Sequence, residues 1–409
     1  MRWPRMIPSI GPETRKDLKE GALSLMLCNV GDYISGFFLQ FFEPFIRAAP
    51  ILIALLPAAS DARGDTYSSY GSRLGTLLHL GLYRRYIRCE LEALVTLLIG
   101  VNLWVGFLVM VIHAILGGGV LSPLDVAFIP LLSAMLSALF MVPATTWLAH
   151  TSFRKGLDPD NLVSPIATLF GDIVTIPTIV ASYVIATDID PIAKAIYVGG
   201  SIGVATLLFT RFVRRVRRGV REYERAIRVV RENLPIIMAS TSFSALAGAI
   251  LLSNISSILA WKGILAVIPA FLEDGGAIAC RFSARLTTML HLGRIRLEPV
   301  PRHRWVYAQI GINFVHALMI FTSLGLFGAA MSIAFGGGAV WAIHVFAAVE
   351  LAGFMLTAIV SLLTYYLALA SFKAGIDPDN VLAPLLTSMA DAIGTSSLAL
   401  MMMVLGAPH

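Results

Sequence analysis

The chain has 409 residues, of which 57% are hydrophobic and 14% are charged, and its mean hydropathy is +0.79. A soluble domain averages about 45–50% apolar and about 25% charged residues, so this composition disfavours a soluble enzyme and predicts a protein of the lipid bilayer. The net charge of +6 equals that of residues 211–233 alone, which hold nine Arg and three Glu. One basic segment of this kind indicates anionic lipids as a partner and not nucleic acid.

The first half of the chain begins with a polar stretch, residues 1–20, which is interpreted as a cytosolic tail. A membrane span needs about 20 apolar residues. Five candidates follow, at residues 22–42, 44–80, 91–116, 126–149 and 163–187. The second is predicted to unwind between Pro57 and Gly64, because proline removes a backbone donor from a helix.

A further apolar run, residues 191–209, leads into the basic segment and matches no span of either half. The rest of the chain offers five further spans, at residues 235–254, 258–291, 305–334, 340–371 and 382–405. The basic segment is expected at the inner leaflet, where anionic lipids attract Arg.

Two sequence blocks occur twice. Residues 57–81 return as 269–293 with ten of 25 positions identical, at an offset of 212. Residues 156–172 return as 375–391 with eight of 17 identical, at an offset of 219. The prediction is therefore a cytosolic tail (1–20), a first membrane repeat (21–190), a linking helix with the basic segment (191–233) and a second repeat (234–409).

Basic residues fix the orientation of the repeats, since cytosolic loops are enriched in Lys and Arg. Arg84, Arg85 and Arg88 follow the second span of the first repeat, and Arg294 and Arg296 follow its counterpart. Both repeats then run in parallel, and five spans are an odd number, so a linking helix must return the chain to the cytosol. The predicted fold is an all-α integral membrane protein with two tandem parallel five-helix repeats and about 11 spans.

Two acids stand out as candidate cation ligands. Asp172 and Asp391 each lie about 12 residues into a helix, which places them about 18 Å along it, near the bilayer centre. A carboxylate there normally faces a cavity, an ion or a partner group. The alternative is a structural hydrogen bond to Thr168 or Thr387, one turn earlier; these two hydroxyls also join the candidate ligands.

The interrupted second spans supply further candidates. Gly64 and Gly276 align at the 212 offset, and Asp61, Asp65, Glu273 and Asp274 cluster around them. Asp65 is a candidate ligand, whereas Ala277 occupies the aligned position, so the repeats are expected to contribute unequally. The alternative is that Asp65 forms an ion pair with Arg63 outside any cation path.

Other polar features have simpler interpretations. The DPDN sequences at 158–161 and 377–380 are typical of helix caps. Asp32 and Glu350 are also acids in apolar spans, but they align with Ser244 and Leu131, so local hydrogen bonding is expected for both. No HExxH, P-loop or GxSxG motif occurs, so no enzyme activity is indicated.

Taken together, the repeated blocks resemble the signature segments of the MgtE and solute carrier family 41 magnesium transporters. The resemblance implies a five-helix unit duplicated in one chain, with a conduction path along a pseudo-two-fold axis. It also implies that Asp172 and Asp391 bind the permeating cation. The sequence departs from the family at Ala390, where the motif has Gly, and at Asp65 and Ala277, where Asn is common.

The resulting hypothesis is transport of divalent cations, with magnesium the best fit to oxygen ligands that retain water. The alternatives are manganese, calcium, cobalt or zinc as the cation, or a membrane sensor or scaffold in which the acids are structural. No cofactor is expected, and one chain should form the path alone, although a higher oligomer is compatible. The location expected is the plasma membrane, as a multi-pass protein.

Overall fold

A computed structural model of the protein describes residues 12–117, 121–155, 159–295, 298, 301, 303–374 and 378–406, and these residues form helices without any strand. The predicted caps at Asp158 and Asp377 lie outside the described residues, as do residues 118–119 of an expected external connection. The helices are α1 (Pro12–Phe41), α2 (Glu43–Ala48), α3 (Ile51–His79), α4 (Tyr83–Leu116), α5 (Pro123–Arg154), α6 (Pro159–Asp188), α7 (Pro191–Arg217), α8 (Arg221–Ser253), α9 (Ile255–Ala260), α10 (Ile268–His291), α11 (Arg304–Ala334), α12 (Gly338–Lys373) and α13 (Pro378–Leu405).

Among the described residues, eight helices are long and apolar enough to cross a bilayer: α4, α5, α6, α7, α8, α11, α12 and α13. The predicted class, an all-α integral membrane protein, is confirmed. The long helices outside this set are α1, α3 and α10, and each carries acids within its apolar stretch, among them Asp32, Asp65 and Asp274. Eleven spans therefore remain a prediction.

The predicted unwinding between Pro57 and Gly64 is wrong. Helix α3 continues through both residues, and its first half is buried. The chain breaks earlier, at Ala49 and Pro50, and in the second repeat at Gly263, whose φ of 86° is in the left-handed region. A proline-containing helix is kept intact when neighbouring helices enclose it, and α3 packs against α4, α5, α6 and α8.

The helices pack into two compact units. The continuous unit, Phe41–Ile255, has α3 at its centre. One core cluster joins Tyr67 and Leu74 of α3 to Leu94 of α4 and Met141 of α5. The linking helix α7 lies at the edge of this unit and is mostly exposed, as expected for a helix that faces lipid.

The discontinuous unit combines Met1–Gln40 with Ser256–His409. Here α10 packs against α12 and α13, and α11 packs against α12. Tyr33 of α1 donates a 2.7 Å hydrogen bond to Ser323 and stacks on Phe327, both in α11. Each unit thus contains the first helix of one repeat and the later helices of the other repeat.

Two glycines allow close packing of α1 and α8, the first helices of the two repeats, against their neighbours. A Cβ at Gly248 of α8 would lie 2.1 Å from the carbonyl oxygen of Ala54 in α3. A Cβ at Gly36 of α1 would lie 1.9 Å from the carbonyl oxygen of Ala266. Gly36 aligns with Gly248, and Ala54 aligns with Ala266, at the 212 offset. The two repeats therefore share this helix contact.

Gly248→Ala is expected to destabilise the protein, because the added methyl meets backbone that cannot rotate away; overpacking of this kind costs about 1–3 kcal/mol. Gly203→Ala is the matched control, since Gly203 of α7 has nothing within 4 Å of its would-be Cβ, and Ala favours a helix by about 0.5–1 kcal/mol over Gly. Thermal unfolding in detergent should give a lower midpoint only for Gly248→Ala. Equal midpoints for the two variants would contradict the contact.

Candidate cation site

In the continuous unit, the crossing of α3 and α6 brings together three of the predicted residues, Gly64, Thr168 and Asp172. A Cβ at Gly64 would lie 3.4 Å from Thr168 Cγ2, so the absence of a side chain permits this approach. One turn further along α6, Asp172 accepts a 2.6 Å hydrogen bond at Oδ1 from Ser60, one turn before Gly64. Asp172 is only 6% exposed. The crossing therefore holds a buried carboxylate between two helices.

Arg63 directly precedes Gly64 in α3, and its side chain is fully buried. Its guanidinium donates to the hydroxyls of Ser133 and Ser137 in α5, with a distance of 3.3 Å from Nε to Ser137 Oγ. Its charge also acts on Asp172. A buried carboxylate with a nearby guanidinium is less destabilising than one alone, so Arg63 lowers the free-energy cost of burying Asp172.

A neighbouring stripe of α3 faces α8. Ser244 donates a short hydrogen bond to Asp61 Oδ2, and Asp65 is hydrogen-bonded to Ser240. Successive helical residues are rotated by about 100°, so Asp65 lies beside the stripe that carries Gly64. Asp65 therefore faces α8, whereas Ser60 and Gly64 of the same helix face α6 and Asp172. The structure also excludes the alternative ion pair between Arg63 and Asp65, because Arg63 contacts α5 and Asp65 contacts α8.

The discontinuous unit repeats the glycine crossing. A Cβ at Gly276 of α10 would lie 3.2 Å from Thr387 Cγ2 in α13. Asp391 is one turn further along α13 and is 7% exposed. The position aligned with Ser60 is Leu272, so α10 offers no hydroxyl there. The two crossings therefore share their glycine, threonine and aspartate and differ in the group beside the carboxylate.

An acidic contact between α1 and α10 was missed by sequence reasoning. With its amide oriented to donate, Asn29 bonds Asp274 Oδ1 at 2.5 Å. Asp32 is 3% exposed, and the charges of Glu273 and Asp274 act on it. The two repeats are equivalent here, because Asp32 aligns with Ser244, and Ser244 donates to Asp61, the residue aligned with Glu273. Sequence alone did not show that α1, from the first repeat, packs against α10, from the second repeat.

Glu350 behaves as expected from sequence. Thr322 of α11 donates a 2.8 Å hydrogen bond to Glu350 Oε1, which is the local bonding predicted for an acid without a counterpart. Within the described part of the chain, no group of three His, Cys, Asp or Glu side chains lies close enough to hold a metal ion.

Eight long apolar helices among the described residues define a multi-pass membrane protein, and buried acids in such helices are typical of proteins that move ions. The chain belongs to the MgtE family, whose description is divalent cation transporter and which matches residues 56–182 and 268–401. No solved structure matches the chain.

Curated relatives are similar over most of the chain. Solute carrier family 41 member 3 of Rattus norvegicus is 23% identical over 93% of this chain and 85% of its own length. The Mus musculus member 3 is 24% identical, over 92% and 80% respectively. Solute carrier family 41 member 2 of Homo sapiens is 25% identical, over 88% and 65%. These relatives support the resemblance to both MgtE and solute carrier family 41.

Proposed function

We propose that the protein transports magnesium across the plasma membrane, with Asp172 and Asp391 as the cation-binding carboxylates. The observation that supports this most is the repeated crossing, in which a glycine admits a threonine and leaves a buried aspartate one turn away. A buried acid is normally retained in a membrane helix for an ion, a partner or a cavity. Two units with the same arrangement favour a cation path over isolated structural acids.

Magnesium fits this donor set because it prefers oxygen ligands and gives up water reluctantly. One carboxylate and one threonine hydroxyl from each crossing would bind the hydrated ion. The carbonyl oxygens of Gly64 and Gly276 accept helix bonds but have a second lone pair, which can hold one of the ion's waters. Manganese, calcium, cobalt and zinc are the competitors; zinc is disfavoured because the proposed ligands are carboxylates and hydroxyls and not His or Cys.

The duplicated sequence supports the idea that both aspartates serve one path, as in the axial arrangement implied by the family. One chain supplies both copies, so a second chain is not required for the path. Asp65 faces α8 and not the crossing, so in the continuous unit alone it would attract the cation by its charge from that neighbouring face. The basic segment at residues 211–233 would contact anionic lipids of the inner leaflet.

The test is cation flux into liposomes that contain the purified protein and an enclosed magnesium-sensitive dye. Magnesium should enter protein-containing liposomes at least tenfold faster than protein-free ones. Parallel measurements with manganese, calcium, cobalt and zinc rank the cations. Flux equal to that of empty liposomes for all five ions, from protein that elutes as a single species, would contradict the proposal.

A further inference from the structure

A cavity of about 580 Å³ lies among the ends of α3, α4 and α8 that the charge pattern assigns to the cytosol. This volume is within the range of about 300–1,000 Å³ that small-molecule sites occupy. The cavity belongs to the continuous unit and is separate from the glycine crossings. Four guanidinium groups line it, from Arg73, Arg221, Arg225 and Arg228.

The inner wall carries more positive charge than its carboxylate can balance. Arg73 Nε and Arg225 Nε donate to the two oxygens of one buried residue, Glu90, each at 2.8 Å. Arg73 Nη1 donates to Ser69 Oγ at 2.5 Å, whereas the buried Nη2 has no hydrogen-bond partner among the described residues. Two guanidiniums thus share one carboxylate, and one donor is left without an acceptor.

The α8 wall adds charge in a regular pattern. Arg221, Arg225 and Arg228 follow the i, i+4, i+7 spacing that places residues on one helix face. Glu224 and Glu232 also line the cavity and partly offset the arginines. No described ion pair involves Arg221 or Arg228, so both guanidiniums can turn to a ligand.

These groups are suited to a phosphate. Guanidinium binds phosphate oxygens in a bidentate manner, and hydroxyls of Ser72 and Tyr86 line the same cavity. The cavity arginines differ from the exposed arginines of the same basic segment, which can attract anions only by their charge. Arg217 and Arg218, for example, are exposed and lie outside the cavity. A built pocket should select the group it holds, whereas a charged surface responds only to charge.

We propose that this cavity binds a phosphate group, presented either by an anionic lipid head or by a soluble phosphate compound. The cavity shares no residue with the proposed cation path. It lies on the α3–α8 interface, where Ser69 of α3 donates a 2.9 Å hydrogen bond to Asn233 of α8. One turn before Ser69, Asp65 is bonded to α8 as well. A phosphate held by Arg73 and Arg228 would tie these helices together.

The test is native mass spectrometry of the full chain in neutral detergent, titrated with phosphatidylserine or with ATP. At least one of the two probes should bind as a single molecule, and more tightly than diacylglycerol, which carries no phosphate. Arg221→Gln with Arg228→Gln should weaken that binding at least fivefold while keeping the Arg73–Glu90–Arg225 contacts. The matched control, Arg217→Gln with Arg218→Gln, removes the same charge outside the cavity and should change binding less than twofold.

The two probes identify the source of the phosphate. Binding of phosphatidylserine alone assigns the cavity to a lipid head, and binding of ATP, with competition between the two, assigns it to soluble phosphates. Equal weakening by the two double variants would overturn the proposal, as would binding of both probes no tighter than that of phosphate-free diacylglycerol. If the cavity double variant aggregates, the single change Arg228→Gln with Arg218→Gln as control decides by the same comparison.

Discussion

Replacing Asp172 by Asn should lower magnesium flux in liposomes at least tenfold, and Asp391→Asn should do the same. Asn keeps the shape and removes the charge. At an effective dielectric constant of about 20, a carboxylate about 4 Å from a unit charge contributes roughly 4 kcal/mol, and more for a divalent ion, before desolvation is subtracted. Because about 1.4 kcal/mol corresponds to a factor of ten, a tenfold loss requires only part of that energy.

Glu350→Gln is the control for removing a buried membrane acid. It changes a carboxylate that is bonded to Thr322 and lies on neither glycine crossing, so flux should stay within twofold of the unchanged protein. Folding is monitored by the elution profile of each variant. Normal flux in a well-folded variant that lacks both aspartates would remove them from the mechanism.

Asp65→Ala should impair magnesium flux markedly, whereas Ala277→Asn should be tolerated or should increase it. These positions align at the 212 offset, and only Asp65 offers a carboxylate. Removing that charge weakens attraction for a divalent ion by the same Coulomb argument. Introducing an amide at Ala277 adds an oxygen donor to the repeat that lacks one. Flux at several magnesium concentrations separates a change of affinity from a change of maximal rate.

Ser240→Ala tests the competing explanation that Asp65 only stabilises the contact between α3 and α8. The change leaves the carboxylate in place and removes its hydrogen bond. If Asp65 binds the cation, Ser240→Ala should reduce flux far less than Asp65→Ala does. Equal losses in the two variants would make the role of Asp65 structural.

Sequence reasoning located the helices well because hydropathy depends on local composition. The span predicted at 305–334 corresponds to α11, Arg304–Ala334, and that at 126–149 lies inside α5. The failure at Pro57 has a physical cause: burial against neighbouring helices keeps α3 continuous, and these tertiary contacts are not encoded within the local segment. The actual breaks, at Pro50 and Gly263, also involve residues that favour turns.

The candidate site was predictable where the repeats agree. Gly64 with Thr168, and Gly276 with Thr387, come together because both halves of the chain keep the same small residue and hydroxyl. The environment of Asp32 was not predictable, because an alignment offset gives equivalence of position and not contact. Only the packing of α1 beside α10 brings Asp32 near Glu273 and Asp274.

The pairing of α1 with late helices has a consequence for synthesis of the protein. Gly36 contacts Ala266, so the first helix leaves the ribosome long before the chain that covers it exists. At about 5–20 residues per second, the intervening segment takes tens of seconds to make. During that time Asn29 stands in or beside the membrane without Asp274, its hydrogen-bond partner in the folded protein, and Asp32 stands there without the helices that bury it. We expect the translocon or a chaperone to shield the polar face of the nascent α1, and such a helper should crosslink to Asp32-containing intermediates that end before α10.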